Sequence, residues 1–287
     1  MNKLTRFQLM KRLTAFFLLT RPLNVLIAMV SIFIGAFITG TISPLINVLL
    51  ASLSGGFIAA GANAINDYFD VETDRINKPY RPIAARIITM REGGLFSMVL
   101  FSIGVILGLL VNWLAFVVAV FSSMLLYWYS ARLKRTVLWG NLSVSLITSL
   151  AFIYGGIAVN RLGLALIPAV FSFFYHLGRE IIKDAEDIAG DIADRIVTLP
   201  IEFGKRKALL LATGIYIFLI GLTIVPYALN IFGIYYLIIV VAIVNAVVVF
   251  ALFSMWRDMT PNNLSRLSVI LKLNMFAGLA AIYCGKF

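Results

Sequence analysis

Two sets of three aspartates share one internal spacing in this chain: Asp67, Asp70 and Asp74 recur as Asp184, Asp187 and Asp191, a constant 117 residues later. The first set sits in NAINDYFDVETD (63–74) and the second in EIIKDAEDIAGD (180–191). Twelve of the thirteen acidic residues fall between Asp67 and Glu92 or between Glu180 and Glu202, so the acids are confined as well as repeated. At about 100° per residue, positions i, i+3 and i+7 lie within an arc of roughly 60°, and each set is expected to share a helix face. Gly190 before Asp191, and Asn77-Lys78-Pro79 after Asp74, put the last aspartate of each set near or past the end of the regular helix. Carboxylates crowded in this way repel, and desolvation raises their pKa unless cations compensate. Oxygen ligation without His or Cys selects a hard cation. Mg2+ typically takes a few carboxylates and completes its sphere with water and substrate phosphate. A phosphorylated substrate is therefore expected. Interleaved basic and amide residues suit the phosphate oxygens that the metal does not reach: Asn63, Asn66, Arg75, Asn77, Lys78 and Arg81 in one stretch, Arg179, Lys183 and Arg195 in the other. Solvated loops with local ion pairs are the bland alternative, against which the repeated spacing argues. A cation transporter would carry its acids near the middle of the membrane instead.

The elements that hold these residues must span a bilayer. The chain is 61% hydrophobic and 13% charged, with mean hydropathy +0.98, whereas a soluble domain is about one quarter charged. The expected class is an all-α integral membrane protein. Apolar stretches of about 20 residues predict nine transmembrane helices near 22–41, 45–65, 93–111, 113–130, 138–159, 163–182, 207–228, 231–254 and 267–285. Tight turns are expected at Ser43-Pro44, Asn112-Trp113 and Asn230. The net charge of +11 comes with no basic domain, zinc spacing or basic-aromatic motif, so no nucleic-acid partner is expected. With the N-terminus cytoplasmic and the C-terminus outside, twenty-one of the 24 Lys and Arg residues fall on cytoplasmic segments, as positive loops do. Attraction to anionic membrane lipids is a further use of that charge.

Both acidic stretches, about 66–92 and 183–206, then become cytoplasmic loops of one domain, 1–287. Its helices bundle around a central cavity with the triads facing each other. The single Cys284 excludes internal disulfides and Cys-based metal sites. The N-terminal MNKLTRFQLMKRLTAFFLLTRPLN lacks a small-x-small cleavage site and reads as an amphipathic lead-in to the first span. His176, eight residues before Asp184, is expected to be packed in span six, with proton acceptance as the alternative. Gly55-Gly56 and Gly155-Gly156 are expected to allow close helix packing.

NDYFDVETD (66–74), DAEDIAGD (184–191), YSARLKR (129–135) and the nine spans together resemble the UbiA superfamily of intramembrane prenyltransferases. TRPLN (20–24), INKPYRPI (76–83) and REIIKDAEDIAGD followed by TLPIEFGKRKA (198–208) are similar to its archaeal ether-lipid members. The resemblance implies a cell-membrane enzyme that binds geranylgeranyl diphosphate through Mg2+ held between the triads, with its active site towards the cytoplasm. Loss of diphosphate would leave an allylic cation, captured by the glycerol hydroxyl of geranylgeranylglyceryl phosphate. Asp67, Asp70, Asp74, Asp184, Asp187 and Asp191 are then expected as direct or water-mediated metal ligands. Asn63 and Asn66 would support the metal or the diphosphate, Arg81 and Lys134 would contact the diphosphate, and Tyr129 would hold phosphate or face the cation. Arg21 and Lys183 are candidates for the diphosphate or for the acceptor's phosphate. Each basic residue has a topological anchor as its alternative role. INKPYRPI also looks like the chlorophyll synthases, so aromatic acceptors (hydroxybenzoate, naphthoate or a chlorophyll precursor) stay open. The CDP-alcohol phosphotransferases, also Mg2+ enzymes with membrane aspartates, need a D-G…A-R…G…D…D pattern that this chain lacks.

Overall fold

A computed structural model describes residues 3–193 and 196–286, and every regular element in them is helical. The long helices are α1 (Lys3–Leu19), α2 (Pro22–Ile38), α3 (Leu45–Phe69), α5 (Met90–Val111), α6 (Trp113–Ala131), α7 (Trp139–Ala158), α8 (Leu166–Glu186), α11 (Lys205–Ala228), α13 (Ala246–Arg257) and α14 (Pro261–Cys284). Shorter pieces are α4 (Val71–Asn77), α9 (Ile188–Ala193), α10 (Leu199–Phe203) and α12 (Ile234–Ile239). A π turn over Val240–Asn245 joins α12 to α13, so that Ile234–Arg257 runs on as one rod.

Eight of these rods are long and apolar enough to cross a membrane: Leu45–Phe69, Met90–Val111, Trp113–Ala131, Trp139–Ala158, Gly163–Glu186, Lys205–Ala228, Ile234–Arg257 and Pro261–Cys284. The chain is thus a multi-pass membrane protein. The expected first span differs. Helix α2 has 17 residues, roughly 26 Å at 1.5 Å per residue, which falls short of a hydrocarbon core of about 30 Å. Only together with Gln8–Leu19, bent from it by 45°, does it reach spanning length, and the count becomes nine where that bent pair is taken as one span. The bend lies at Arg21, whose φ of 51° is left-handed, a conformation that costs a side chain with a Cβ about 1–2 kcal/mol.

Helix ends follow local chemistry. Thr89 and Glu92 start α5 with a reciprocal capping box, which satisfies two backbone donors at once. Asn112 ends α5 and caps α6 through the Ala115 amide at 2.8 Å, closing the expected hairpin. Thr260 with Pro261 opens α14.

Two apolar cores flank a cavity. Helices α2, α3, α5, α6 and α7 form one, around Ile58, Phe101 and Tyr154; α8, α11, α13 and α14 form the other, around Tyr216, Met255 and Leu267. They meet in a third cluster of Ile34, Ile38, Phe152, Phe232, Tyr236 and Ile282, at the end of the bundle away from the aspartates. A fourth, smaller cluster (Leu19, Ala64, Val71, Ile83 and Ile88) seats α1 and the α4–α5 link on α3. Polar groups inside the bundle bond between helices, as lipid requires: Ser54 Oγ donates to the Gly104 carbonyl at 2.6 Å and Tyr175 Oη to that of Leu271 at 2.8 Å.

Close packing at Gly155 is backbone against backbone. A Cβ there would strike the Ile32 carbonyl and come within 2.6 Å of the Ala36 nitrogen, and one at Gly35 would come within 2.7 Å of the Phe152 Cα. Helices α2 and α7 therefore cross in contact on one side of the cavity. Gly155→Ala is expected to destabilise the detergent-solubilised protein by about 1–3 kcal/mol, the usual cost of overpacking, seen as a lower unfolding temperature. Gly214→Ala, where nothing lies within 4 Å of the new methyl, should leave that temperature unchanged or raise it. Equal behaviour of the two variants would discount the crossing.

Candidate active site

Each aspartate set sits at a helix joint, and the two joints share one backbone. Helix α3 ends at Phe69, with Asp70 at φ −93°, ψ 9°; α8 ends at Glu186, with Asp187 at φ −91°, ψ 9°. Hydrogen bonding carries on across both joints, from the Asp70 and Asp74 amides to Asn66 and Asp70 (2.9 and 2.8 Å), and from those of Asp187 and Asp191 to Lys183 and Asp187 (both 3.0 Å). The single helix face expected for each set is thus divided. The first aspartate stays on the long helix, the second occupies the joint and the third rides on α4 or α9.

Both joints open on one cavity of about 520 Å3 between α2, α3, α6, α7, α8 and α14. Asp70, Asp74, Asp184, Asp187 and Asp191 line it, as do Asn63, Asn66, Arg21, Lys78, Arg81, Tyr129, Lys134 and Lys183. Further in, the wall becomes apolar through Ile27, Ile58, Val118, Leu126 and Ile147. Asp67 is turned away from the cavity. It is 3% exposed and held by Arg21 and by Arg81 at 3.1 Å. Arg75 pairs with the exposed Glu72 of its own short helix, outside the cavity lining. Arg195 lies outside the described residues.

The triads differ in their electrostatics. Asp67, Asp70 and Asp74 are buried and matched by cations: Arg81 Nη1 reaches Asp74 at 2.6 Å, and Lys134 Nζ pairs with Asp70, which also accepts from Asn66 Nδ2 at 2.8 Å. Burial pushes the Asp74 carboxyl above its ordinary range despite Arg81. Burial alone would lower the Arg81 guanidinium, but Asp67 and Asp74 outweigh it and hold it above its ordinary value. Lys78 is pushed down by burial; Arg81 and Lys183 add to that effect and Asp187 opposes it. Among the described residues Asp184 and Asp187 have no salt-bridge partner, and the bond to Asp184 comes from the neutral Asn141 amide at 2.8 Å.

No three acids among the described residues converge as a finished metal cage. Mg2+ does not need one, because one or two carboxylates with substrate phosphate and water suffice. The lining offers hard oxygen donors from both triads and no cysteine thiolate, and it fits that ion.

Several contacts were not legible as site features. Asn63 spends its amide on the Thr20 carbonyl (2.8 Å) and accepts from Asn24 (3.2 Å), which ties α3 to the α1–α2 bend. Glu180 is buried beneath Arg179 and Lys183; its signal was the same 117-residue offset, from Asn63. Asn141 and Lys272 were polar residues in apolar runs, and both face the cavity. His176 lines it as well.

A membrane-embedded cavity with two aspartate joints over an apolar interior defines an intramembrane transferase of lipid-like groups. Residues 28–276 match the model of the UbiA prenyltransferase family, and the chain belongs to that family. It is an intramembrane prenyltransferase. It is 35% identical over 266 residues to the digeranylgeranylglyceryl phosphate synthase of Methanosphaera stadtmanae, covering 92% of this chain and 96% of that one. The enzyme of the same name from Methanothermobacter thermautotrophicus is 35% identical over 269 residues (93% and 94%). Among solved structures, one concerning digeranylgeranylglyceryl phosphate synthase in membranes superposes with TM-score 0.76 at 34% identity, covering 96% of this chain and 98% of that one. A UbiA homologue from Archaeoglobus fulgidus bound to GPP and Mg2+ shares the fold, with TM-score 0.70 at 20% identity over 93% of this chain and 99% of its own.

Asn141→Leu should lower kcat/KM for prenyl transfer by roughly ten- to a hundredfold, the value of a hydrogen bond to a charged group. Membrane insertion should be unaffected. Wild-type turnover would show that Asp184 works without this bond.

Proposed function

We propose that the protein transfers a geranylgeranyl group from geranylgeranyl diphosphate to the glycerol hydroxyl of geranylgeranylglyceryl phosphate, an ether-forming step of archaeal lipid synthesis. The observation that carries this reading is the division of one cavity into an aspartate- and cation-rich mouth and an apolar interior. That division matches a diphosphate head on an isoprenoid tail. The names and near-complete coverage of the relatives support the choice of acceptor.

Asp70, Asp74, Asp184, Asp187 and Asp191 would hold Mg2+, directly or through water, with Asp67 supporting them from behind through Arg81. When bound, Mg2+ supplies Lewis-acid neutralisation of the charge that develops on the departing diphosphate. The chain's own groups do the rest. Arg81 and Lys134, now on carboxylates, line the same cavity, and a metal taking those carboxylates would free them to donate to phosphate oxygens. As the C1–O bond breaks, its electron pair leaves with diphosphate. The acceptor oxygen bonds to C1 and passes its proton to the departing diphosphate. Tyr129, on the cavity wall, would turn its ring towards the allylic cation, which ring faces stabilise. The apolar interior excludes water that would otherwise quench the cation.

In the membrane we place the N-terminus and the aspartate end in the cytoplasm, with nine crossings and the C-terminus outside. In a Cys284→Ser background, a cysteine replacing the exposed Arg132 should react with an impermeant maleimide only from the cytoplasmic face. Reaction from outside would invert the topology.

The purified protein, given labelled geranylgeranyl diphosphate, Mg2+ and an acceptor panel, should label geranylgeranylglyceryl phosphate in preference to hydroxybenzoate, naphthoate or chlorophyllide. Preference for an aromatic acceptor would overturn the assignment. Asp70→Ala and Asp187→Ala should each reduce transfer by about a hundredfold or more, as expected when a group acting on developing charge is lost, without loss of insertion.

A further inference from the structure

We infer that Lys272, with Arg179 and Lys183, forms a second anion site on the α8–α14 wall of the cavity, one that takes the phosphomonoester of the acceptor. The inference rests on the prenyl-transfer reading above and assigns that reaction a subsite that the aspartate mouth does not provide.

Lys272 lies in the middle of α14, within a membrane-spanning rod, and faces the cavity. An ammonium group in such a place is costly and by default functional. Its charged neighbours are Arg179, Arg21 and Lys183, all cations. Arg21 is committed to Asp67. Arg179 is drawn to the same wall because its Nε donates to the Ser268 carbonyl at 3.1 Å, one helical turn before Lys272. The carboxylate in contact is Glu180, which accepts from Arg179 at 3.0 Å and from Lys183 at 2.8 Å. Asp184, the next acid along α8, is bonded to Asn141 on the opposite side. Arg179 and Lys183 thus share one buried carboxylate, among the described residues Lys272 has no salt-bridge partner, and positive charge is left over on this wall of the cavity.

A dianionic phosphate would balance that excess. Arg179 brings guanidinium donors and Lys183 and Lys272 ammonium donors, a set suited to tetrahedral oxygens. The surroundings match an amphiphile. Ser172, His176 and Met275 line both the main cavity and a second space of about 90 Å3 whose wall is apolar through Phe171, Leu219 and Val248. A phosphate at Lys272 would therefore leave its hydrocarbon chain an apolar route deeper into the bundle. The first triad's cations, Arg81 on the α4–α5 link and Lys134 on the α6–α7 link, are held instead by Asp74 and Asp70 at the end of α3. Diphosphate and acceptor phosphate would bind apart.

The test is equilibrium binding of geranylgeranylglyceryl phosphate to the full chain in nanodiscs, with no prenyl diphosphate present. Geranylgeranylglycerol and inorganic diphosphate serve as separate arms. Lys272→Met should weaken binding of the phosphorylated acceptor by about tenfold or more, the value of a charge-assisted contact. It should leave binding of geranylgeranylglycerol and diphosphate within about twofold, the scatter expected of distant, independent contacts. Lys272→Arg should restore affinity, and a wild-type unfolding temperature in both variants excludes a folding defect. Unchanged affinity for the phosphorylated acceptor overturns the proposal, and so does weakening confined to diphosphate. Failure of the prenyl-transfer reading is seen separately, as wild-type protein that binds the acceptor but never prenylates it.

Discussion

A carboxylate inside a membrane bundle needs a positive charge or a full set of hydrogen bonds beside it, and the architecture of this protein follows from meeting that need. The three aspartates at the end of α3 are matched by Arg21 from the α1–α2 bend, Arg81 from the α4–α5 link and Lys134 from the α6–α7 link. Three connections that would otherwise wander over the surface are tied to one helix end. Losing one partner of a fully buried pair costs about 3–5 kcal/mol, and less where, as at Lys134 and Arg21, the cavity admits water. The left-handed Arg21 belongs to the same bargain, because the chain must turn there for its guanidinium to reach Asp67.

The second joint repeats the backbone of the first but not its neutralisation. Asp184 faces the cavity bonded to a neutral amide and Asp187 has no salt-bridge partner among the described residues, while the cations of α8 are engaged with Glu180. Where the first half of the repeat carries Asn63 and Asn66, the second carries Glu180 and Lys183. The substitution moves positive charge from the aspartates to the opposite wall. One joint is therefore electrically near balance and the other is left negative, an asymmetry that gives an approaching cation a preferred side.

Much of this could be read in the sequence because hydropathy and spacing are local. The long helices lie within a few residues of the expected spans. The clearest departures are α14, which starts at Pro261 because Thr260 caps it, and α3 and α8, which run on past the expected ends to Phe69 and Glu186, where the aspartate joints stop them. The aspartate repeat announced both joints. Hydropathy said nothing of α4, α9 and α10, since helices of 7, 6 and 5 residues are too short to show a periodic apolar stripe. Asn141, Glu180 and Lys272 were hidden for another reason: which face of an apolar helix meets a cavity depends on neighbours distant in sequence. Asn63 was legible as an important amide but not as the clasp for the α1–α2 bend, because its partner is a backbone carbonyl, which every residue possesses.

The two cores that flank the cavity merge only at the end away from the aspartates, where Ile34, Ile38, Phe152, Phe232, Tyr236 and Ile282 pack together without a charged side chain. The bundle is thus shaped as a cup and not as a tube. Water, ions and protons that enter by the charged mouth meet a growing desolvation cost as the wall turns apolar towards this floor. A bundle that carries charge inside a bilayer risks leaking ions along its own interior, and an apolar floor works against that leak.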